Sequence, residues 1–162
     1  MEHAMKRELP IAKDDHDRTL LADVKRVGWH IVGIHEDENG PAYAFSVGLF
    51  HTFEHPEIIV FGLPHDTAGR IINIIGRQVQ DGTRFEANDQ SNDVAEGFPV
   101  VFKMIPKDFY RQYIGYALWF YRDFDFPVLQ CVWPDKAGLF AWQDGYDHRF
   151  DQMQPILAHP SP

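Results

Sequence analysis

The chain has 162 residues, 44% of them hydrophobic, enough for one domain with a real core and too apolar for a disordered chain. Its 15 Lys and Arg against 24 Asp and Glu leave a formal net charge of −9, which argues against a sequence-neutral grip on nucleic-acid phosphates or an anionic membrane. The single cysteine, Cys131, excludes an internal disulfide framework and any zinc site built from several cysteines.

Residues 1–14 are polar and are expected to be disordered, with the opening MEHAM read as an expression remnant before a start at Met5. Residues 15–162 are read as a single domain. In DRTLLADVKRVG, Asp17 is placed to cap a helix with an apolar stripe at Leu20, Leu21, Val24 and Val27, and Gly28 ends it. WHIVGIHE follows as a strand and DENG (37–40) as a turn.

The next strand, AYAFSVGLF, has two unlike faces. Tyr43, Phe45, Val47 and Leu49 form a bulky one, and Ala42, Ala44, Ser46 and Gly48 a small one. The bulky face is expected in the core. The small face admits a close neighbour, most commonly a helix and otherwise a flat ligand.

HTFEHP is read as a loop, and EIIVFGL as a strand buried on both faces. Pro64 starts a helix to about Gln80, with Ile71, Ile74, Ile75 and Val79 inward. TRFEAN suggests a short strand, residues 88–97 an acidic loop, and FPVVFKMI a strand. PKDFYRQYIGYALWFY reads as one aromatic helix, FPVLQCVW as the last strand, and the tail packs back through Phe140, Trp142 and Phe150. The expected fold is α+β, a mostly antiparallel or barrel-like sheet of about five to six strands with three helices.

Candidate chemistry is sparse. His51 and His55 with Glu54 match H-x-x-E-H in letters, but a zinc site on that spacing needs a helix through both histidines and a third ligand. Pro56 and the following strand argue for a loop instead. His30 is read first as a sheet-edge histidine and second as an acid, base or ligand. It could reach Ser46 on a paired strand, though AFSVG lacks the first glycine of a nucleophile elbow. Cys131 shares a core-facing row with Leu129 and Trp133. The start of the helix after Pro64, with Arg70 and Arg77, could attract an anion, as any helix start could. Trp119, Phe120, Tyr121, Phe124, Phe126, Trp133 and Trp142 form core rings first and a ligand wall second.

Four strings together resemble the bacterial family of unknown function 4262: GWHIVGIHEDENGPAYAFSVGLFHTFEHPEIIVFGLP, GRQVQDGTRFE, PVLQCVWPDKAGLFAW and QPIL. The resemblance implies a stand-alone bacterial domain, with no established reaction. It places Gly28-Trp29-His30, Gly48-Leu49, His55-Pro56-Glu57, Gly62-Leu63-Pro64, Gln130, Trp133-Pro134-Asp135 and Gln154-Pro155 in the family pattern, and His51 less clearly. In architecture alone the order is similar to flavin-reductase-like split barrels, which would imply FMN or another flavin against the small residues.

The expectation is therefore a cytoplasmic domain that binds a small ligand or a protein partner beside strand 42–48 and loop 51–57. Nucleic acid and membrane are not expected, and a homodimer is admitted. The candidate ligand residues are His30, Ser46, Gly48, His55, Glu57, Trp133, Asp135 and Trp142. The alternatives are a flavin- or nucleotide-dependent oxidoreductase and a metal-dependent hydrolase using His51 and His55.

Overall fold

In the computed structural model, residues 8–158 are described; residues 1–7 of the segment expected to be disordered lie outside them. Helix α1 (Asp15–Val27) is capped by Asp14, not by Asp17: the Asp14 side chain accepts the Asp17 N–H at 2.8 Å. Asp17 belongs to the first turn, and its Oδ2 accepts the Lys13 N–H at 2.9 Å. Leu20, Leu21 and Val24 are buried, and Val27 is exposed. Ahead of the helix, Leu9 and Ala12 pack on the core.

Six strands form one sheet in the order β1-β2-β3-β6-β5-β4. They are β1 (His30–Ile34), β2 (Tyr43–Val47), β3 (Glu57–Phe61), β4 (Gln90–Ser91), β5 (Val100–Met104) and β6 (Val128–Val132). All neighbours are antiparallel except β3 and β6, which run parallel with Glu57 opposite Val128. The sheet is open, with β1 and β4 as its edges, so the fold is α+β and the barrel-like alternative is not formed. The strand expected at 83–88 is irregular; the short strand lies at Gln90–Ser91, in the stretch read as loop.

Both faces of the sheet are covered. On one, α1 and the aromatic helices pack against Val32, Tyr43, Phe45, Val47, Ile59 and Phe61. On the other, α3 (His65–Gln80) lays Ala68, Ile71, Ile72 and Ile75 against Ala44, Ile58 and Val60. The buried stripe of α3 thus runs through Ile72, while Ile74 is only half-buried. The stretch read as one aromatic helix is a 3-10 turn (Lys107–Phe109) followed by α4 (Tyr110–Tyr113) and α5 (Gly115–Tyr121). The break falls at Ile114, whose ψ of 50° leaves the helical region. A last helical turn, α2 (Leu49–Phe53), joins β2 to β3. Among the described residues no helix is long and apolar enough to cross a membrane.

The tail is tied down by amides. Gln154 accepts the Trp133 N–H and donates to the Trp133 carbonyl, at 2.9 Å each. Gln130 donates to the Pro155 carbonyl and accepts the Leu157 N–H. Two side chains thus satisfy backbone groups that a further strand would otherwise meet.

α3 meets the sheet edge through Trp29, whose ring lies over Gly76 and whose Nε1 donates to Asn73 Oδ1 at 3.0 Å. A Cβ at Gly76 would stand 2.5 Å from the Trp29 ring. Gly76→Ala should therefore displace a buried indole and cost about 1–3 kcal/mol. Urea unfolding followed by tryptophan emission measures both effects, and an unchanged midpoint would contradict the packing.

Candidate functional site

Glu57, at the start of β3, is a carboxylate only 1% exposed. Its carboxylate accepts the Ser46 hydroxyl at 2.7 Å, then the N–H groups of Gly48, Leu49 and Phe50 at 2.9, 3.1 and 3.2 Å. The Tyr121 hydroxyl from α5 donates a fifth, short bond. Three of these donors belong to the first turn of α2, where unpaired N–H groups attract an anion. Gly48 makes the turn possible: its φ is 122°, and a Cβ there would lie 2.7 Å from the Gly28 carbonyl oxygen.

No ion pair to Glu57 is formed among the described residues. Burial raises its pKa above the ordinary 4.5, and the five donors oppose that rise. The same burial, with the neighbouring carboxylate, pushes the Tyr121 phenol up. Ser46 is fully buried, and its oxygen also accepts the Ile58 N–H at 2.9 Å. Its proton is committed to a carboxylate and its oxygen to the backbone, which rules it out as an accessible nucleophile. Ser46 stands opposite Ile31, while His30 Nδ1 sits 2.7 Å from Asp23 Oδ2. The Ser–His contact that the paired strands could have allowed is not formed.

HTFEH is not a loop as expected; it crosses the end of α2. His51 lies in the helix, and Glu54 then adopts φ 58°, which turns the chain before His55. A shared i, i+4 face is therefore not formed. The His51 ring meets Phe120 edge-on. His55 is fully buried and both ring nitrogens are engaged. Nε2 accepts the Phe85 N–H at 3.0 Å, so Nδ1 carries the proton and donates to the Pro56 carbonyl at 2.9 Å. Burial pushes its pKa down. Among the described residues no group of three His, Cys, Asp or Glu could hold a metal ion.

The remaining candidates lie elsewhere. Trp133 donates from Nε1 to the Phe61 carbonyl at 2.7 Å. Asp135 shapes the turn after β6 by accepting N–H bonds from Ala137, Leu139 and Asp147, and the Leu139 bond is the largest factor holding its pKa down. Both border a recess of about 370 Å³ with Leu63, Phe98 and Phe150. Trp142 stacks on Phe140, half-exposed, with the Lys103 ammonium 4.4 Å from its ring centroid. Cys131 is buried beside Leu129 and Trp133 as read, and burial raises its pKa. Ser46, Gly48 and Glu57 are thus joined in one network; His30, His55, Trp133 with Asp135, and Trp142 are separate.

The small face of β2 is closed by α3, the place where the split-barrel analogy would put a flavin. The opening is on the other side. A groove of about 500 Å³ runs between the start of α1 and the α4–α5 pair. Ile34, Tyr43 and Phe45 floor it, and Tyr113, Tyr116 and Trp119 wall it. Lys13, Asp14, Asp17, Arg111 and Gln112 supply its charged and polar groups. Tyr116 and Trp119, three apart on α5, were the available signal. Reading the aromatic helix as unbroken core obscured it.

The fold and this groove define an open-sheet α+β domain with a helical layer on each face and a single-sided aromatic cleft. Residues 23–147 match the family described as Domain of unknown function (DUF4262), and the chain belongs to it. No curated protein and no solved structure matches the chain. The matched segment holds β2, α4 and α5 of the groove and begins inside α1.

Tyr121→Phe removes one donor from the Glu57 carboxylate and the acceptor of the His51 N–H, which lies 3.0 Å from the phenol oxygen. A loss of about 1.5–3 kcal/mol is expected at neutral pH. The folded-state pKa of Glu57, already above 4.5, should rise further in the variant. The variant then loses stability relative to wild type as pH climbs through these raised values, and the difference narrows in acid to what the lost His51 acceptor costs. Urea unfolding between pH 4.5 and 8 tests the sign.

His55 carries the opposite dependence. Its folded pKa lies below the ordinary 6.5, so its contribution is intact above 6.5 and is lost as pH falls through the lowered value. Nitrogen-15 NMR should show a neutral Nδ1–H ring persisting below pH 6.5. A ring that titrates at the ordinary value would contradict its burial.

Proposed function

We propose that this protein is a binding domain for a small organic molecule, held in the groove between α1, β2 and α4–α5. The observation that carries the reading is the groove itself. Its volume of about 500 Å³ falls in the range of ligand pockets, and aromatic walls with a few polar groups match their usual lining. Strand 42–48 contributes, but with Tyr43 and Phe45 from its bulky face. The polar network at Ser46 and Glu57 supports the reading indirectly. Its groups satisfy one another, so they hold the fold and are not offered to a substrate.

Gly115 provides a clean test. It opens α5, lines the groove, and has no atom within 4 Å of where a Cβ would stand. Gly115→Trp should fill the cleft while leaving the melting temperature close to wild type. A fragment library screened by protein-observed NMR should give hits that shift groove residues and lose at least about tenfold in affinity in the variant. Hits that bind the blocked protein equally well, or that cluster elsewhere, would refute the assignment.

A further inference from the structure

Resting on that small-molecule reading, we infer that the ligand is a zwitterion with a flat apolar body, the chemical class of an aromatic amino acid. The argument is the distribution of charge around the groove. Asp14 and Asp17 come from the start of α1, on one wall; Arg111 comes from α4, on the other. Asp17 is 6% exposed, a buried carboxylate bordering a cavity. The only polar contact of its side chain among the described residues is the Lys13 backbone N–H at Oδ2. Asp14 is occupied in capping α1. Among the described residues neither is ion-paired with a basic side chain, and Arg111 and Lys13 are ion-paired with no carboxylate. The Arg111 guanidinium is held 5.2 Å over the Phe124 ring.

Charges of both signs therefore edge the same aromatic cleft, with no ion pair among the described residues joining them. An ammonium gains most from Asp17, because a desolvated carboxylate attracts a cation more strongly than one in water. A carboxylate fits the planar fork of Arg111. A purely cationic ligand would meet Arg111 and Lys13, and a purely anionic one would meet two aspartates. The rings of Tyr43, Tyr113, Tyr116 and Trp119 line the same groove and suit a flat body. The Tyr43 hydroxyl is spent on the Tyr113 carbonyl at 2.8 Å, so this residue presents its ring to the ligand.

The test uses four probes that share one ring: tryptophan, tryptamine, indole-3-acetate and 3-methylindole, titrated by calorimetry at pH 7. Tryptophan should bind at least about tenfold more tightly than each of the others. Asp17→Asn should weaken tryptophan and tryptamine but spare indole-3-acetate. Arg111→Gln, at an exposed position, should weaken tryptophan and indole-3-acetate but spare tryptamine. If Asp17→Asn fails to fold, the Arg111 arm alone decides. Four probes of equal affinity, all displaced by Gly115→Trp, would overturn the zwitterion while leaving the groove a ligand site. No probe binding while library fragments still reach the groove would overturn it as well. Probes that bind the Gly115→Trp protein as tightly as wild type would overturn both readings.

Discussion

A buried carboxylate, with no basic partner among the described residues, holds this fold together. Glu57 draws its five donors from the end of β2, the first turn of α2 and α5. Those groups would otherwise be buried donors in need of partners, and each unmet one costs more than a made bond returns. One side chain thus fixes where β2 ends, how sharply the chain turns and how closely α5 approaches. Removing its charge outright would leave several of these donors competing for a poorer acceptor, so the consequences spread through the whole corner.

Strand β2 divides the molecule chemically. Its small residues let α3 settle close, and the dry layer of Ala44, Ala68, Ile71, Ile72 and Ile75 results. Its large residues are buried too, but under short helices broken at Ile114. The groove on that side lies beside the broken pair and borders Tyr43 and Phe45. The two sides of β2 thus differ: a dry helix layer on one, a groove on the other.

Much of the architecture could be read from periodicity. The stripe of α1, the helix after Pro64, the strands 43–47, 57–61, 100–104 and 128–132, and the helix cover of the small face all follow from spacing and turn residues. The failures have physical causes. Pro56 argued against a helix through HTFEH, yet one turn fits before it because Glu57 folds back to satisfy its N–H groups. The site was less legible than the fold. His30, Ser46, His55 and Glu57 looked reactive as letters, but each is committed to a neighbour visible only in three dimensions. Asp17 looked like a cap, and nothing local shows that Asp14 takes that role and leaves Asp17 on a cavity wall.

The sheet is two antiparallel halves, β1-β2-β3 and β6-β5-β4, joined along the single parallel pair β3–β6. Each half is built largely from strands close in sequence, whereas the seam unites distant ones. Closing so long a loop carries an entropic penalty that local pairing avoids, and contacts of this kind slow folding. The tail reinforces this join, since Trp133 and Gln154 clamp the far end of β6 and Phe61 accepts the Trp133 indole across it. These clamps are neutral amides and an indole. The hold on the seam is therefore insensitive to protonation, while the Glu57 corner at its other end answers to it.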